Sequence, residues 1–143
     1  MTIVRHILRA KGGEVLTADP DLPVRDALRM MERHNVGSLV IVRDGRLVGL
    51  LTERDFARRV ASAGQAALEA VVGDLMISDV LVVSPDTSID DCMALMTEKR
   101  TRHLPVFEND QVVGVVSIGD VVKGLIDDKE FVIEQLERYI TGR

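Results

Sequence analysis

The chain has 143 residues, a formal net charge of −5 at pH 7 and 46% hydrophobic residues, but no Trp and only three Phe and one Tyr. This length allows one compact domain or two small interlocked ones, with a core built mainly from aliphatic side chains. An acidic chain with so few aromatic residues lacks the basic face and the stacking surfaces of nonspecific nucleic-acid binders. We therefore expect no nucleic-acid partner.

A single cysteine, Cys92, excludes an internal disulfide and fits a reducing compartment. The first residues contain no apolar run of signal-peptide length, and no apolar run approaches the roughly 18 residues of a membrane span. The sequence predicts a soluble, cytoplasmic protein without a membrane partner.

An internal repeat with a period of 65 residues organises the chain, because residues 15–56 align with residues 80–121 without a gap. The clearest matching pairs are Val15-Leu16 with Val80-Leu81, Pro20-Asp21 with Pro85-Asp86, and Val48-Gly49 with Val113-Gly114. A unit used twice usually cannot bury its apolar face alone. We expect two similar modules, residues 4–65 and 71–130, followed by a C-terminal helix outside the repeat, residues 131–143.

Each copy is predicted to run strand, helix, strand, strand, helix. In the first copy the strands are Glu14–Ala18, Ser38–Val42 and Arg46–Leu51, the last two joined by an Asp44-Gly45 turn. The intervening helix carries apolar residues at i, i+3, i+4 and i+7, namely Val24, Ala27, Leu28 and Met31. The final helix begins at Thr52.

The second copy repeats this pattern. Its strands are predicted at Asp79–Val83, His103–Phe107 and Gln111–Val116, and the apolar positions of its first helix are Ile89, Cys92, Met93 and Met96. Short lead-in segments, Val4–Arg9 and Val71–Met76, resemble each other, and Phe131–Ile140 shows helical spacing of apolar residues. The nearly continuous apolar strands indicate sheets that helices cover, and so an α/β fold.

The strongest local motif is Gly49-Leu-Leu-Thr52-Glu-Arg-Asp55, which recurs as Gly114-Val-Val-Ser117-Ile-Gly-Asp120. Hydroxyl and carboxylate three residues apart at a helix start are typical of a capping box. The same geometry also favours a phosphate at the helix N-terminus and a ribose diol on the aspartate. A base follows each aspartate by three residues, at Arg58 and Lys123, and Arg54 adds a further positive charge in the first copy.

A second cluster of bases, Lys99-Arg100-Thr101-Arg102-His103, precedes the strand that contains Leu104 and Pro105. It is either a solvated helix end, where cations suit the helix dipole, or a site for an anionic ligand. The first copy has Gly37, Ser38 and Leu39 at the matching positions, so two sites of this kind would bind differently.

No combination of residues predicts catalysis. The three histidines and Cys92 lack metal-ligand spacing, and the chain has no glycine-rich phosphate loop of the known motifs. We expect a protein that is not an enzyme and holds no metal.

Taken together, the Pro-Asp pairs, the amphipathic helices, Arg102-His103-Leu104-Pro105 and the doubled Ser/Thr-x-x-Asp motif resemble a tandem CBS (cystathionine-β-synthase) domain pair, or Bateman module, of the bacterial stand-alone type. The resemblance covers nearly the whole chain. It implies two pseudo-symmetric β-α-β-β-α units packed through their sheets, with two clefts that bind adenosyl ligands in many members. It also implies a disc-shaped homodimer of two such modules.

The resemblance also implies a role for each matching residue. Ribose would be held by Thr52, Asp55, Ser117 and Asp120, with each aspartate on the diol. Adenine would be framed by Thr17, Ala18, Gly37, Ser38 and Leu39 in the first copy, and by Val82, Val83, His103, Leu104 and Pro105 in the second. Phosphate would meet Arg102 and His103; in the first copy Gly37 and Ser38 replace these bases, and Arg54 and Arg58 would compensate.

The predicted function is therefore a non-catalytic regulatory module that binds an adenine nucleotide and signals through a change of shape to a protein partner that the sequence does not name. The expected ligand is AMP, followed by ATP, ADP or NAD; Arg102 and His103 favour these phosphate-bearing ligands over S-adenosylmethionine. The alternative is a ligand-free scaffold for dimerisation or protein interaction, in which the Ser/Thr-x-x-Asp motif only caps a helix.

Overall fold

The computed structural model describes residues 1–12 and 14–141. Its elements in chain order are α1 (Val4–Lys11), β1 (Thr17–Ala18), α2 (Val24–His34), β2 (Ser38–Arg43), β3 (Arg46–Thr52), α3 (Glu53–Ala63), α4 (Ala66–Glu69), α5 (Val72–Leu75), α6 (Ile89–Lys99), β4 (His103–Glu108), β5 (Gln111–Ser117) and α7 (Ile118–Thr141). Two compact units result. The first unit is Glu14–Leu81, and the second unit combines Met1–Gly13 with Val82–Arg143. This mixed α/β architecture, with a small sheet in each repeat, confirms the predicted fold class.

The first unit contains a three-stranded sheet in the order β1-β2-β3. β1 runs parallel to β2, and β2 pairs with β3 in antiparallel register from Ser38 opposite Thr52 to Arg43 opposite Arg46. The connecting turn residues Asp44 and Gly45 have φ values of 53° and 75°. Positive φ at both central residues is the geometry that matches the twist of a two-residue hairpin, so the predicted turn is confirmed.

Among the described residues of the second unit, the β4-β5 hairpin is the only regular sheet. The predicted strand Asp79–Val83 is wrong except at Val83. Val83 makes a single parallel bridge to Val106, in which Val83 N–H donates to Pro105 O and Phe107 N–H donates to Val83 O. To extend this parallel ladder toward the N-terminus, the backbone nitrogen of residue 105 would have to donate to Leu81 O, but Pro105 has no N–H. Val40 stands at the matching position in the first unit and donates to Leu16 O, so β1 forms there, although only over Thr17–Ala18.

The predicted amphipathic helices are confirmed as α2 and α6, each of 11 residues. Ser88 caps α6 by accepting a hydrogen bond from Asp91 N–H. α2 begins directly after Pro23 and ends at His34, and the next residue, Asn35, adopts a left-handed conformation. The residues that α2 and α6 bury are those of the predicted apolar faces: Val24, Ala27, Met31, Ile89, Cys92 and Met96.

The lead-in segments each fold against the repeat that they do not precede in sequence. Val72 and Leu75 of α5 are buried in the core of the first unit, while Val4 and Ile7 of α1 are buried in the second unit. The backbone contacts repeat as well, since Val72 N–H donates to Leu22 O and Val4 N–H donates to Thr87 O. The compact units therefore differ from the predicted modules 4–65 and 71–130, which follow the repeat in sequence.

The last helix is continuous from Ile118 to Thr141, so the prediction of a separate C-terminal helix is wrong in its start. Residues 142 and 143 of that prediction lie outside the described residues. Gly124 lies inside α7, where an added Cβ would be 3.2 Å from Ile89 Cδ1, so it allows α7 to pack closely on α6. No described helix is both long and apolar enough to cross a membrane.

Candidate functional site

In the first unit the Ser/Thr-x-x-Asp motif lies where β3 ends and α3 begins. The Thr52 hydroxyl accepts a hydrogen bond from Asp55 N–H at 3.2 Å and donates one to Asp55 Oδ2 at 2.7 Å. Thr52 is buried at 9% exposure, whereas Asp55 is partly exposed. The hydroxyl thus caps the helix and at the same time fixes the carboxylate at the protein surface.

In the second unit the same motif forms a reciprocal capping box. Ser117 Oγ accepts from Asp120 N–H at 3.2 Å, and Asp120 Oδ2 accepts from Ser117 N–H at 2.9 Å. Both contacts satisfy backbone donors at the start of a helix. The capping interpretation of the motif therefore holds in both units, and it leaves the partly exposed carboxylates available for a further role.

Lys11, which the sequence analysis did not predict as a site residue, contacts the Ser117-Asp120 motif of the second unit. Its ammonium nitrogen lies 2.8 Å from Asp120 Oδ2 and 3.0 Å from the Val115 carbonyl oxygen. Lys11 is the last residue of α1, just after the lead-in segment Val4–Arg9 of the first sequence repeat, so comparison of the repeats gives no reason to place it beside Asp120. The one feature of the sequence that could have indicated Lys11 is the pair of bases in the last turn of α1, Arg9 and Lys11.

The ionisation of Asp120 reflects these contacts. Burial by itself raises the pKa of this carboxyl, but the hydrogen bonds from Lys11 and from Ser117, together with the charge of Lys11, outweigh burial and hold the pKa below its usual value. Asp120 is therefore an anion at neutral pH, able to accept hydrogen bonds from hydroxyl groups.

The strand paired with the one that leads into each motif, β2 in the first unit and β4 in the second, brings further predicted site residues next to the motif. Ser38 is the register partner of Thr52, and Glu53 N–H donates to Gly37 O at 3.1 Å. In the second unit, His103 is the partner of Ser117, and Ile118 N–H donates to Arg102 O at 2.8 Å.

The predicted adenine-framing residues differ in how much of their surface is accessible. Leu39 and Leu104 are fully buried, so only their backbone can face a ligand, and Pro105 is also buried. Thr17 and Val82 are exposed, and Ala18 is partly exposed. This distribution fits a ligand framed by backbone more than by the two leucine side chains.

The predicted phosphate-binding bases lie on the surface. Arg54 and Arg58 on α3, Lys123 on α7 and Arg102 before β4 are exposed, and His103 is partly buried. Within the described part of the chain none of the four exposed bases forms an ion pair with Asp55 or Asp120. They are therefore near the motifs in sequence without being held against the carboxylates.

Two cavities adjoin some of the predicted adenine-framing residues. One of about 600 Å³ lies between the Val82-Val83-Ser84 segment and α6, with Asp91 and Glu98 on its wall. One of about 410 Å³ in the first unit includes Gly37 and Glu53. The carboxylates on both walls disfavour anions, so we do not place phosphate in either cavity.

Cys92 is fully buried on α6, and burial, followed by the charge of Asp91, raises the pKa of its thiol to about 11. A buried thiol of this kind is a packing residue and a poor nucleophile. The described residues also contain no group of three or more His, Cys, Asp or Glu side chains placed to hold a metal ion.

Comparison with known proteins identifies the family. The CBS domain model matches residues 4–62 and 72–127, and the chain belongs to the CBS-domain family as a tandem pair. It is 36% identical over 150 aligned positions to the mitochondrial CBS domain-containing protein CBSX3 of Arabidopsis thaliana, with 99% of this chain and 73% of that protein aligned. The family resemblance seen in the sequence is thus confirmed.

Solved structures agree. The crystal structure of the CBS-domain containing protein ATU1752 from Agrobacterium tumefaciens superposes with a TM-score of 0.83 at 38% identity, covering 86% of this chain and 98% of that one. The CBS domain pair of protein MJ0100, in complex with 5′-methylthioadenosine and S-adenosyl-L-methionine, matches with a TM-score of 0.77 at 26% identity, covering 90% and 98%. That structure shows adenosyl ligands on a related CBS pair.

Proposed function

We propose that this chain is a regulatory, non-catalytic module that binds an adenine nucleotide, AMP ahead of ATP, ADP or NAD, and signals by changing shape. The observation that carries the proposal is the doubled motif, in which Thr52 and Ser117 hold the carboxylates of Asp55 and Asp120 at partly exposed positions. The relative MJ0100, with its adenosyl ligands, supports the class of ligand.

The nearby charges support a nucleotide rather than an uncharged nucleoside. Arg54 and Arg58 follow Thr52 on an exposed face of α3, and Arg102 precedes Ser117's partner strand. A ligand phosphate at either helix N-terminus would gain from the helix dipole and from these cations. Occupancy would shift the module between conformations through its different affinity for each.

The test is thermal unfolding of the purified chain with AMP, ADP, ATP, NAD and S-adenosylmethionine. A ligand at about a hundredfold its Kd adds about 2.7 kcal/mol to the free energy of unfolding, equivalent to an increase of roughly 5–10 °C in Tm. Asp55→Ala and Asp120→Ala should each reduce this shift. Their matched controls, Asp44→Ala in the β2-β3 turn of the first unit and Asp127→Ala on α7, each remove an exposed carboxylate outside the motifs and should not reduce it. No shift with any of the five ligands would reject the nucleotide proposal.

The alternative function, a dimerisation scaffold, is favoured by one observation. α7 exposes apolar side chains in a heptad-like series: Val122, Ile126, Ile133, Leu136 and Ile140, exposed by between 41% and 80%. Isoleucine recurs every seven residues at 126, 133 and 140, and Val122 and Leu136 occupy the second seam position of the heptad, which Lys129 interrupts between Ile126 and Ile133. This spacing is typical of a helix that pairs with another helix. Large exposed apolar surfaces of this kind mark interaction sites. We propose that this face pairs with the same face of a second copy, giving a homodimer.

Sedimentation equilibrium tests this pairing. Ile133→Asp should convert a dimer into a monomer, since it buries a charge in the proposed interface, whereas Gln135→Asp adds the same charge elsewhere on the exposed helix and should leave the dimer intact. A monomeric unmodified chain, or a dimer that survives Ile133→Asp, would reject α7 as the interface. A dimer that shows no nucleotide-dependent shift would favour the scaffold over the sensor.

A further inference from the structure

We propose that Lys11 selects the ligand of the second unit's site, by orienting Asp120 and by making the site favour phosphate-bearing adenosyl ligands over S-adenosylmethionine. This inference rests on the proposed function and deepens it. It assigns a ligand-selecting role to a residue of the N-terminal helix, 109 positions away in sequence.

The first step is geometric. The hydrogen bonds that the Asp120 carboxylate accepts from Lys11 Nζ and from Ser117 N–H both fall on Oδ2, and among the described residues Oδ1 accepts no such bond. A carboxylate fixed through one oxygen presents the other to a ribose hydroxyl in a constant direction. Lys11 therefore positions Asp120 without occupying the acceptor that a diol needs.

The second step concerns the ammonium group itself. It has three N–H donors, and the contacts to Asp120 and Val115 use two of them. The Lys11 side chain is 42% exposed, so the third donor and the surrounding field are accessible from solvent. Lys11 can thus act on a ligand bound at Oδ1.

The third step is the local charge. Asp120 alone would present a net charge of −1 to the ligand, and Lys11 neutralises it. AMP carries about −1.5 to −2 at neutral pH, whereas the S-adenosylmethionine sulfonium is positive. A charge change of one unit within a Debye length, about 8 Å at physiological ionic strength, acts with opposite sign on these two ligands. Lys11 should therefore raise the affinity for AMP and lower that for S-adenosylmethionine.

The first unit lacks this device. The backbone of Ile77 bonds to Leu50 there, with Ile77 N–H donating to Leu50 O at 2.9 Å. In the second unit the matching carbonyl, that of Val115, accepts from Lys11 instead. The residues bonded to Asp55 contribute no cation, since its carboxylate accepts from the Thr52 hydroxyl. The selectivity that we propose thus belongs to the second unit alone.

Isothermal titration of the full chain with AMP and with S-adenosylmethionine tests the assignment. The Asp55→Ala background makes the second unit's site the reporter. In this background, Lys11→Met should lower the ratio of AMP affinity to S-adenosylmethionine affinity about tenfold, because loss of the positive charge lowers the affinity for AMP and raises the affinity for S-adenosylmethionine. Lys11→Arg should restore most of the ratio. Arg9→Met, which removes an equal charge from an exposed position on the same helix, should leave the ratio unchanged.

The outcomes separate the two proposals. An unchanged ratio in Lys11→Met, or an equal change in Arg9→Met, overturns the role of Lys11 while the nucleotide proposal stands. Binding by the unmodified chain that disappears in Asp55→Ala alone shows that the second unit holds no site, which overturns the assignment but not ligand binding by the first. An unmodified chain that binds neither ligand overturns the proposed function, and the Lys11 assignment with it.

Discussion

The two capping carboxylates should contribute unequally to stability, although the sequence motif treats them as equivalent. Asp120→Ala removes an acceptor for a backbone N–H and for Lys11. A hydrogen bond to a charged group contributes about 1.5 kcal/mol, and a half-exposed ion pair about 0.5 kcal/mol. Asp55→Ala removes only the hydrogen bond that the Thr52 hydroxyl donates to the carboxylate. The same hydroxyl still accepts from the backbone N–H of residue 55, so the cap of α3 remains. We expect losses in the free energy of unfolding of about 2 kcal/mol for Asp120→Ala and about 1.5 kcal/mol for Asp55→Ala.

The contribution of Asp120 should also depend on pH, with a sign fixed by its lowered pKa. A carboxyl whose pKa is lower in the folded chain stabilises the fold fully above its unfolded value, about 3.9. As the pH falls from there through the folded pKa, the carboxylate is protonated and the stabilisation disappears. The difference between the unmodified chain and Asp120→Ala should stay constant from pH 7 to about 5 and shrink below about pH 4.

Urea unfolding followed by far-UV circular dichroism measures both effects in a chain without Trp. A double-mutant cycle with Lys11→Met isolates the ion-pair share, which should fall in high salt. Equal losses for Asp55→Ala and Asp120→Ala at pH 7, or a cycle with no coupling between Lys11 and Asp120, would refute the reasoning from these contacts.

Two further predictions concern packing. Gly49→Ala should cost about 1–3 kcal/mol, because the added Cβ would lie 2.8 Å from Met76 Cγ and 3.0 Å from the backbone carbonyl oxygen of Ile77. Gly114→Ala should cost less, since the three atoms nearest to its Cβ all belong to the flexible Leu8 side chain, and urea unfolding of both variants compares the two losses. Cys92, with its pKa raised to about 11, should react with a thiol reagent at pH 8 at least about a hundredfold more slowly in the folded chain than in urea; comparable rates would contradict its burial.

The elements that depend on nearby residues were predictable from the sequence. α2 and α6 follow from the spacing of their apolar positions, and the β2-β3 hairpin turn follows from Asp44-Gly45, a pair that tolerates the positive φ observed at both residues. The capping by Thr52 and Ser117 followed from their place before an aspartate three residues on. In each case the determining contacts join residues within a few positions of one another.

The shortened strand at Val83 shows how a single residue overrides an otherwise good match between repeats. Apolar alternation predicts both first strands equally, since it reports which side chains prefer burial and nothing about backbone donors. The missing N–H of Pro105 decides the outcome, but its effect emerges only when the register opposite Val83 is known. The extent of α7 was missed for another reason: Asp127 and Asp128 interrupt its apolar pattern without interrupting its backbone hydrogen bonds.

The sequence did not predict which unit each lead-in segment packs against, and the candidate site depends on that choice. An amphipathic segment specifies that it must bury one face, but α1 and α5 could each satisfy that need against either repeat, because the repeats present similar surfaces. Thr2 favours the observed choice for α1, since its N–H and hydroxyl both donate to Asp128 at 3.1 and 2.6 Å, and Arg5 pairs with Asp86 and Glu108. These polar contacts fix α1 on the second unit and thereby bring Lys11 to Asp120. The difference between the two motifs therefore arises from the topology that joins the repeats, and a comparison of the motifs alone does not contain it.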